Sequence, residues 1–211
     1  MSRRLRYQVA VSLDGFIAGP NGEYDWIVMD PDIDFAAMYR EFDLAVMGRK
    51  THEVVTAMGD SGLPSIDTVV FSRTLPAETR PGLRITHEDP ATVVTALKAE
   101  PGKDIWLYGG GELFRVLLAA GLVDTVELAV IPVLLGEGVP LLPPGASTTL
   151  VLTDHRVLPG SGIVALAYAV PGGVGPAPRI FYVKAGRPRA GKPVRGRGPA
   201  AQPRKRPRSR R

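Results

Sequence analysis

Apolar and polar positions along the chain switch between two periods. Leu5–Ser12 is an apolar, β-rich run and predicts a first strand. Asp14-Gly15 and Gly19-Pro20-Asn21-Gly22 then mark turns. Phe35, Met38, Tyr39 and Phe42 fall at helical spacing and predict a helix over Phe35–Phe42. Short strands are predicted at Leu44–Met47, Thr68–Ser72, Leu83–Thr86 and Asp104–Tyr108. Helices are predicted at Lys50–Met58, Pro90–Ala99 and Glu112–Ala120, with Val93, Val94 and Leu97 turned inward. Val123–Val130 is long enough for a central strand, and Pro132–Pro144 is a Gly/Pro-rich loop. Leu150–Leu158 and Gly162–Val170 predict a hairpin closed by Pro159-Gly160-Ser161, and Arg179–Lys184 a last strand. Strands alternating with helices predict an α/β fold with a mostly parallel sheet. The closing hairpin predicts antiparallel strands at one edge.

Composition adds boundaries. The chain has 211 residues, 45% of them hydrophobic, which suits one domain with a real core. It has no Cys, which excludes disulfides, thiolate metal sites and a Cys nucleophile. Three His, at 52, 87 and 155, are too scattered for a metal cluster, so no metal is expected. No apolar run approaches the roughly 20 residues of a membrane helix. The N-terminus does not read as a signal peptide, and the expected location is cytoplasmic.

The net charge of +5 hides a segregation. Residues 186–211 hold 11 Lys/Arg, five Pro, four Gly and no Asp/Glu. Residues 1–185 are left with 15 basic and 21 acidic residues. The tail reads as a disordered polycation, because its few apolar side chains cannot offset the entropy of ordering. Two readings stay open: a nucleic-acid or anionic-surface contact, or a solvated extension.

Two strand-to-helix junctions carry candidate chemistry. In Tyr108-Gly109-Gly110-Gly111-Glu112-Leu113, a buried strand ends, glycines follow and a helix begins. Glycine lets the backbone approach a ligand, and helix N-termini offer free N–H groups, so this is either a phosphate cradle or a tight turn. In Met47-Gly48-Arg49-Lys50-Thr51, two cations stand at a helix start where the dipole disfavours them. An anion would relieve them; a solvated basic turn is the alternative. A third junction, Phe71-Ser72-Arg73, adds Ser and Arg at another strand end. Ligands of open α/β sheets bind at strand carboxyl ends, so a phosphorylated, dinucleotide-sized ligand is expected.

Taken in order and spacing, GRKTHE at 48–53, TVVFSR at 68–73 and YGGGELF at 108–114 resemble dihydrofolate reductases. SLDGFIAGPNGEYDW at 12–26 and PVLLGEGVPLL at 132–142 resemble one branch of that superfamily. The branch is the C-terminal reductase domain of the bifunctional riboflavin-biosynthesis deaminase–reductase, RibD, and its stand-alone relatives. The resemblance covers about residues 4–184 and implies a three-layer α/β/α dihydrofolate reductase-like domain over 1–185. The deaminase half is absent: there is no H-x-E with P-C-x-x-C.

The resemblance implies NADPH as hydride donor and a homodimer. It places Gly48, Arg49, Lys50 and Thr51 at the phosphates, and Ser72 and Arg73 at the adenosine end. Gly109, Gly110, Gly111, Glu112 and Leu113 fall at the pyrophosphate and nicotinamide side, with Ala10 and Ile17 lining the nicotinamide pocket. Asp14–Trp26 corresponds to a mobile active-site loop. The family's pocket acid falls at Asp32, with Asp34 one slip away; these acids equally suit the first turn of a helix. Asp14 matches the riboflavin branch as a sugar or loop contact, or is simply the first residue of a turn. Asp32 and Asp14 are thus the candidate catalytic residues. Two folate features are replaced: Ile66-Asp67 stands where an Arg would grip the glutamate tail, and Ala129 or Val130 where a Thr would support the acid. Dihydrofolate is therefore the weaker substrate. The riboflavin-type reaction, hydride to ribose C1 of a phosphoribosylamino-pyrimidine, is the stronger. Trp106 and Tyr108 read as strand packing.

Overall fold

The computed structural model describes residues 3–59 and 66–173. The expected strand at Arg179–Lys184 and the basic tail lie outside the described residues. Among the described residues, nine strands form one sheet in the order β10-β11-β8-β1-β7-β3-β4-β6-β5. They are β1 Leu5–Ser12, β3 Phe42–Gly48, β4 Asp67–Phe71, β5 Glu78–Arg80, β6 Leu83–Thr86, β7 Asp104–Gly109, β8 Thr125–Ile131, β10 Val151–Val157 and β11 Val164–Ala169. The run from β8 through β6 is parallel. Antiparallel strands close both edges: β11 and β10 at one side, as expected, and β5 at the other.

Alternation along the central strands builds two cores. Leu5 and Tyr7, Leu44 and Val46, and Ile105 and Leu107 face α3 (Pro90–Ala99) and α4 (Gly111–Ala119). Their neighbours Ala45, Met47 and Trp106 face the other side, under α1 (Phe35–Tyr39). Beside them the loop before α1 covers Ala129, Ala165 and Ala167 with Ile33, Trp26 and Ile27. Helix α2 (Arg49–Ala57) adds Val55 to this second layer. Between the two parts of the second layer lies a fully buried ion pair. Arg6 donates from Nε and Nη2 to the two Glu127 oxygens, both at 2.8 Å. Arg6 also stacks over the Phe42 ring.

Several elements depart from expectation for local reasons. Helix α1 stops at Tyr39 because Phe42 is needed in β3, where it pairs with Asp104 and stacks on Trp106. A two-stranded sheet of β2 (Phe16–Ala18) and β9 (Val139–Pro140) forms inside segments read as loops. Its pairing partner is more than a hundred residues away, so no local pattern marks it. Helix α3 runs as predicted: Asp89 accepts the Thr92 N–H as N-cap, and Pro90 opens the first turn.

Candidate functional site

The parallel strands bring their carboxyl ends to one edge. Ser12 pairs with Ile131, Met47 with Gly109, Gly48 with Phe71, and Phe71 with Thr86. The glycine junctions after β3 and β7 are therefore neighbours in space. Helix α2 starts from Gly48 and helix α4 from Gly110, and neither has a side-chain cap. Their first N–H groups are thus available to a ligand.

Thr51 closes the gap between the two junctions. A methyl group on Gly110 would lie 3.6 Å from Thr51 Oγ1. Gly110 has φ +91°, a conformation that disfavours any side chain. Gly111 is glycine for a different reason, since a methyl group there would sit 2.6 Å from the Pro140 carbonyl oxygen. The triplet therefore divides: Gly109 and Gly110 face Thr51, and Gly111 packs the helix onto β9. Leu113 is buried in the core, leaving its backbone as the part that could meet a ligand. Glu112 pairs with Arg115 at 2.9 Å and is turned to solvent.

The basic residues lie around this cradle. Arg49 is partly exposed and paired with Glu53 one turn on at 2.6 Å, and Lys50 is exposed. Ser72 is buried, and its hydroxyl accepts the Thr74 and Leu75 N–H groups, shaping the turn that presents exposed Arg73. These residues fit a dinucleotide: backbone donors and a threonine hydroxyl for phosphates, with cations at the rim.

On the far side of β1, Asp14 works as a brace. It accepts from the Ser12 hydroxyl at 2.6 Å and from the N–H groups of Leu135 and Gly136 at 3.0 and 2.7 Å. These bonds, the Ser12 hydroxyl foremost, hold its carboxyl below the usual range. The first half of the Asp14–Trp26 loop is pinned further by Leu141 N–H to Gly15 O and by β2 on β9. Ile17 is half-buried on β2, and Ala10 half-buried on β1 against the second core.

Asp32 is exposed in the loop before α1, its N–H bonded to Asp30 Oδ1 at 2.8 Å. Asp34 caps α1 by accepting the Ala37 N–H. Asp30 is the buried acid of this stretch, and Ser161 leads the bonds that hold its carboxyl low. Of the two positions matched to the missing threonine, Ala129 is buried against alanines of β11 and Val130 is half-buried.

The same face carries aromatic groups that pack as the sequence reading expected, and an amide that it missed. Trp106 meets Tyr108 edge-on at 4.6 Å and Tyr39 at 5.7 Å. Gln8 is buried on β1, and its side-chain oxygen has no hydrogen-bond partner among the described residues. A polar Gln inside the run YQVAV was the available signal. Among the described residues, no group of three or more His, Asp or Glu could hold a metal ion. No helix there is long and apolar enough to cross a membrane.

A mostly parallel sheet with glycine junctions at its carboxyl edge and an antiparallel hairpin at its side is the dihydrofolate reductase-like α/β fold. Dihydrofolate reductase from Enterococcus faecalis, complexed with NADP(H), superposes with a TM-score of 0.59 at 22% identity over 81% of this chain and 99% of that one. Within that fold the chain belongs to the RibD C-terminal domain family, whose profile matches residues 3–164. It is 36% identical over 179 residues to the Bacillus subtilis (strain 168) protein YyaP, covering 79% of this chain and 94% of that one. A Shewanella sp. PV-4 protein named for riboflavin biosynthesis superposes with a TM-score of 0.68 at 26% identity, covering 81% and 99% of the two chains.

Proposed function

We propose that the protein is an NADPH-dependent reductase that transfers hydride to a C=N or C=O group of a small heterocyclic substrate, of the phosphoribosylamino-pyrimidine kind. The observation that carries this reading is the pair of uncapped helix starts meeting across Thr51 at the carboxyl edge of the sheet. When bound, the nicotinamide supplies the hydride. The chain's part is to hold and orient. The first N–H groups of α2 and α4 and the Thr51 hydroxyl bind phosphate oxygens. Arg49, Lys50 and Arg73 supply charge around them, and the extra phosphate of NADPH matches Arg73 beside Ser72. Ala10 and Ile17 form the apolar wall of the nicotinamide pocket. Asp14 positions the loop that covers the site. Asp32 is the proton source at the family's spacing, acting once substrate or the loop covers it.

The test is thermal unfolding of the full chain with NADPH, NADH or neither. Ligand at about 100 times Kd stabilises by roughly 2.7 kcal/mol. A larger shift with NADPH than with NADH, reduced by Arg49→Ala and Arg73→Ala, is the expected result. No shift with either dinucleotide, in a cooperatively folding sample, contradicts the reading.

An exposed edge strand supports the expected homodimer. All seven residues of β10 are exposed, with Val151, Leu152 and Val157 each more than half accessible. Among the described residues no strand pairs with its outer edge, and an edge strand with apolar side chains is a pairing surface, so we infer that a second copy covers it. Contact of the basic tail with nucleic acid or an anionic surface rests on composition alone, as a weaker accompaniment to the enzyme.

A further inference from the structure

In β11, VALAYA, the side chains sealed from solvent are the small ones. Ala165 and Ala167 are fully buried in the core under the loop before α1. Val164, Leu166 and Tyr168 alternate to the opposite face and are only half-buried. Residues paired directly across strands share a face. Val126 pairs with Tyr168 and belongs to the core under α4, so this is the face that α3 and α4 cover further along the sheet. On it Leu128 and Val130 of β8 pair with Leu166 and Val164, and both are half-buried. Leu152 and Val157 of β10 pair with Tyr168 and Val164, and both are more than half exposed. The strands β8, β11 and β10 thus present a continuous apolar patch that is open among the described residues. A patch of this kind marks a surface that something covers.

The chain leaves β11 beside this patch. Val170 and Pro171 line a cleft of about 400 Å3 with Leu118 and Ala119 of α4 and Ala146 and Thr148 of the loop before β10. Gly172 turns at φ +87°, and Gly173 donates to the Val170 carbonyl at 3.0 Å. A methyl group on Gly173 would lie 2.9 Å from the Asp124 backbone, so the turn is held against the start of β8. Residues 174–178 then read Val-Gly-Pro-Ala-Pro, and 179–184 read Arg-Ile-Phe-Tyr-Val-Lys. Phe181 and Tyr182 are the only aromatic residues after Gly173. The tether 174–178 reaches about 17 Å at about 3.3 Å per residue. That exceeds three strand spacings of about 4.8 Å, so β11 and β10 both lie within reach. So short a tether holds the segment at an effective concentration on the order of mM, ahead of a second copy.

We propose that Ile180–Val183 docks on the open face of β11 and β10, an intramolecular cover for the side that α4 leaves bare. Alternate residues of an extended segment face one way, so Ile180 with Tyr182, or Phe181 with Val183, turns onto Leu166 and Tyr168. Arg179 and Lys184 flank the apolar run and stay in solvent. The backbone edge of β10 remains free for the second copy.

The chain has no Cys, so paired cysteines report contact without background. In the full chain, Leu166→Cys is combined in turn with Ile180→Cys, Phe181→Cys, Tyr182→Cys, Val183→Cys and, as a tail control, Val194→Cys. Disulfide formation is followed under mild oxidation. At least one pair within 180–183 closes inside a single chain about tenfold faster than the Val194 pair. Equal rates for every pair overturn the docking. Covalent dimers as the main product also overturn it and assign the face to a second copy. Limited proteolysis gives a reading without engineered cysteines. In the wild-type full chain, trypsin cuts after Arg189 about tenfold faster than after Arg179, because docked backbone is cut only when it opens. Leu166→Glu, still unfolding cooperatively, removes that difference. Equal cutting at the two sites in wild type, or protection of Arg179 that survives Leu166→Glu, overturns the docking.

Discussion

At the scale of single residues, the second core is organised around charges that the sequence pattern hides. Arg6 and Glu127 are both fully buried and joined by two 2.8 Å bonds, with the Thr125 hydroxyl donating to Glu127 at 2.8 Å. Removing one partner strands the other. Glu127→Ala is expected to cost about 3–5 kcal/mol in urea unfolding. Arg6→Met with Glu127→Leu should regain most of that, because two apolar side chains replace a pair whose burial was itself expensive. A loss under about 1 kcal/mol for Glu127→Ala would show that Asp104, 3.2 Å from Arg6, and Glu41, 3.7 Å from it, carry the charge without Glu127. Asp14 gives a pH-dependent counterpart. Its carboxyl is held low in the folded state, so its bracing bonds are fully present above the ordinary Asp value of about 3.9. They are lost as pH falls through the lower, folded value. The amide resonances of Leu135 and Gly136 should shift in that acid window, and Asp14→Asn should abolish the shift. A titration of these amides in Asp14→Asn matching wild type would remove the brace from the account.

At the scale of elements, legibility followed locality. β1 and α3 were readable to the residue, because strand composition, an Asp N-cap and a Pro at the first turn are all local signals. The positions of the glycine junctions were readable for the same reason: glycines and cations follow the strand ends directly in the sequence. Strands β2, β5 and β9 were not readable, since two or three residues become a strand only through a distant partner. The bulge at Tyr108 was also hidden, because it shows only in the pairing of β7 with β3. Trp106 and Tyr108 were both correctly read as packing, Trp106 buried and Tyr108 half-buried against the same core. Exposed β10 makes the prediction at this scale. Leu152→Lys should place a charge on the open edge and shift sedimentation toward the monomer, with the NADPH thermal response retained. Unchanged sedimentation would assign the dimer contact, if any forms, to another face.

At the scale of the molecule, one sheet edge gathers most of the candidate cofactor residues. Parallel order aligns the ends of β8, β1, β7, β3, β4 and β6, and the antiparallel hairpin at the side leaves that edge open. The acidic body and basic tail are separate in charge, so dinucleotide binding should not depend on the tail. Deleting 186–211 is expected to leave the NADPH shift intact while removing any salt-dependent affinity for nucleic acid. A lost NADPH shift on deletion would make the tail part of the site. The most direct measurement of the central claim is amide hydrogen exchange with and without NADPH. Protection is predicted at the first turns of α2 and α4, over Arg49–Thr51 and Gly110–Glu112, with β10 unchanged. Protection absent from both helix starts while NADPH is bound would contradict the account.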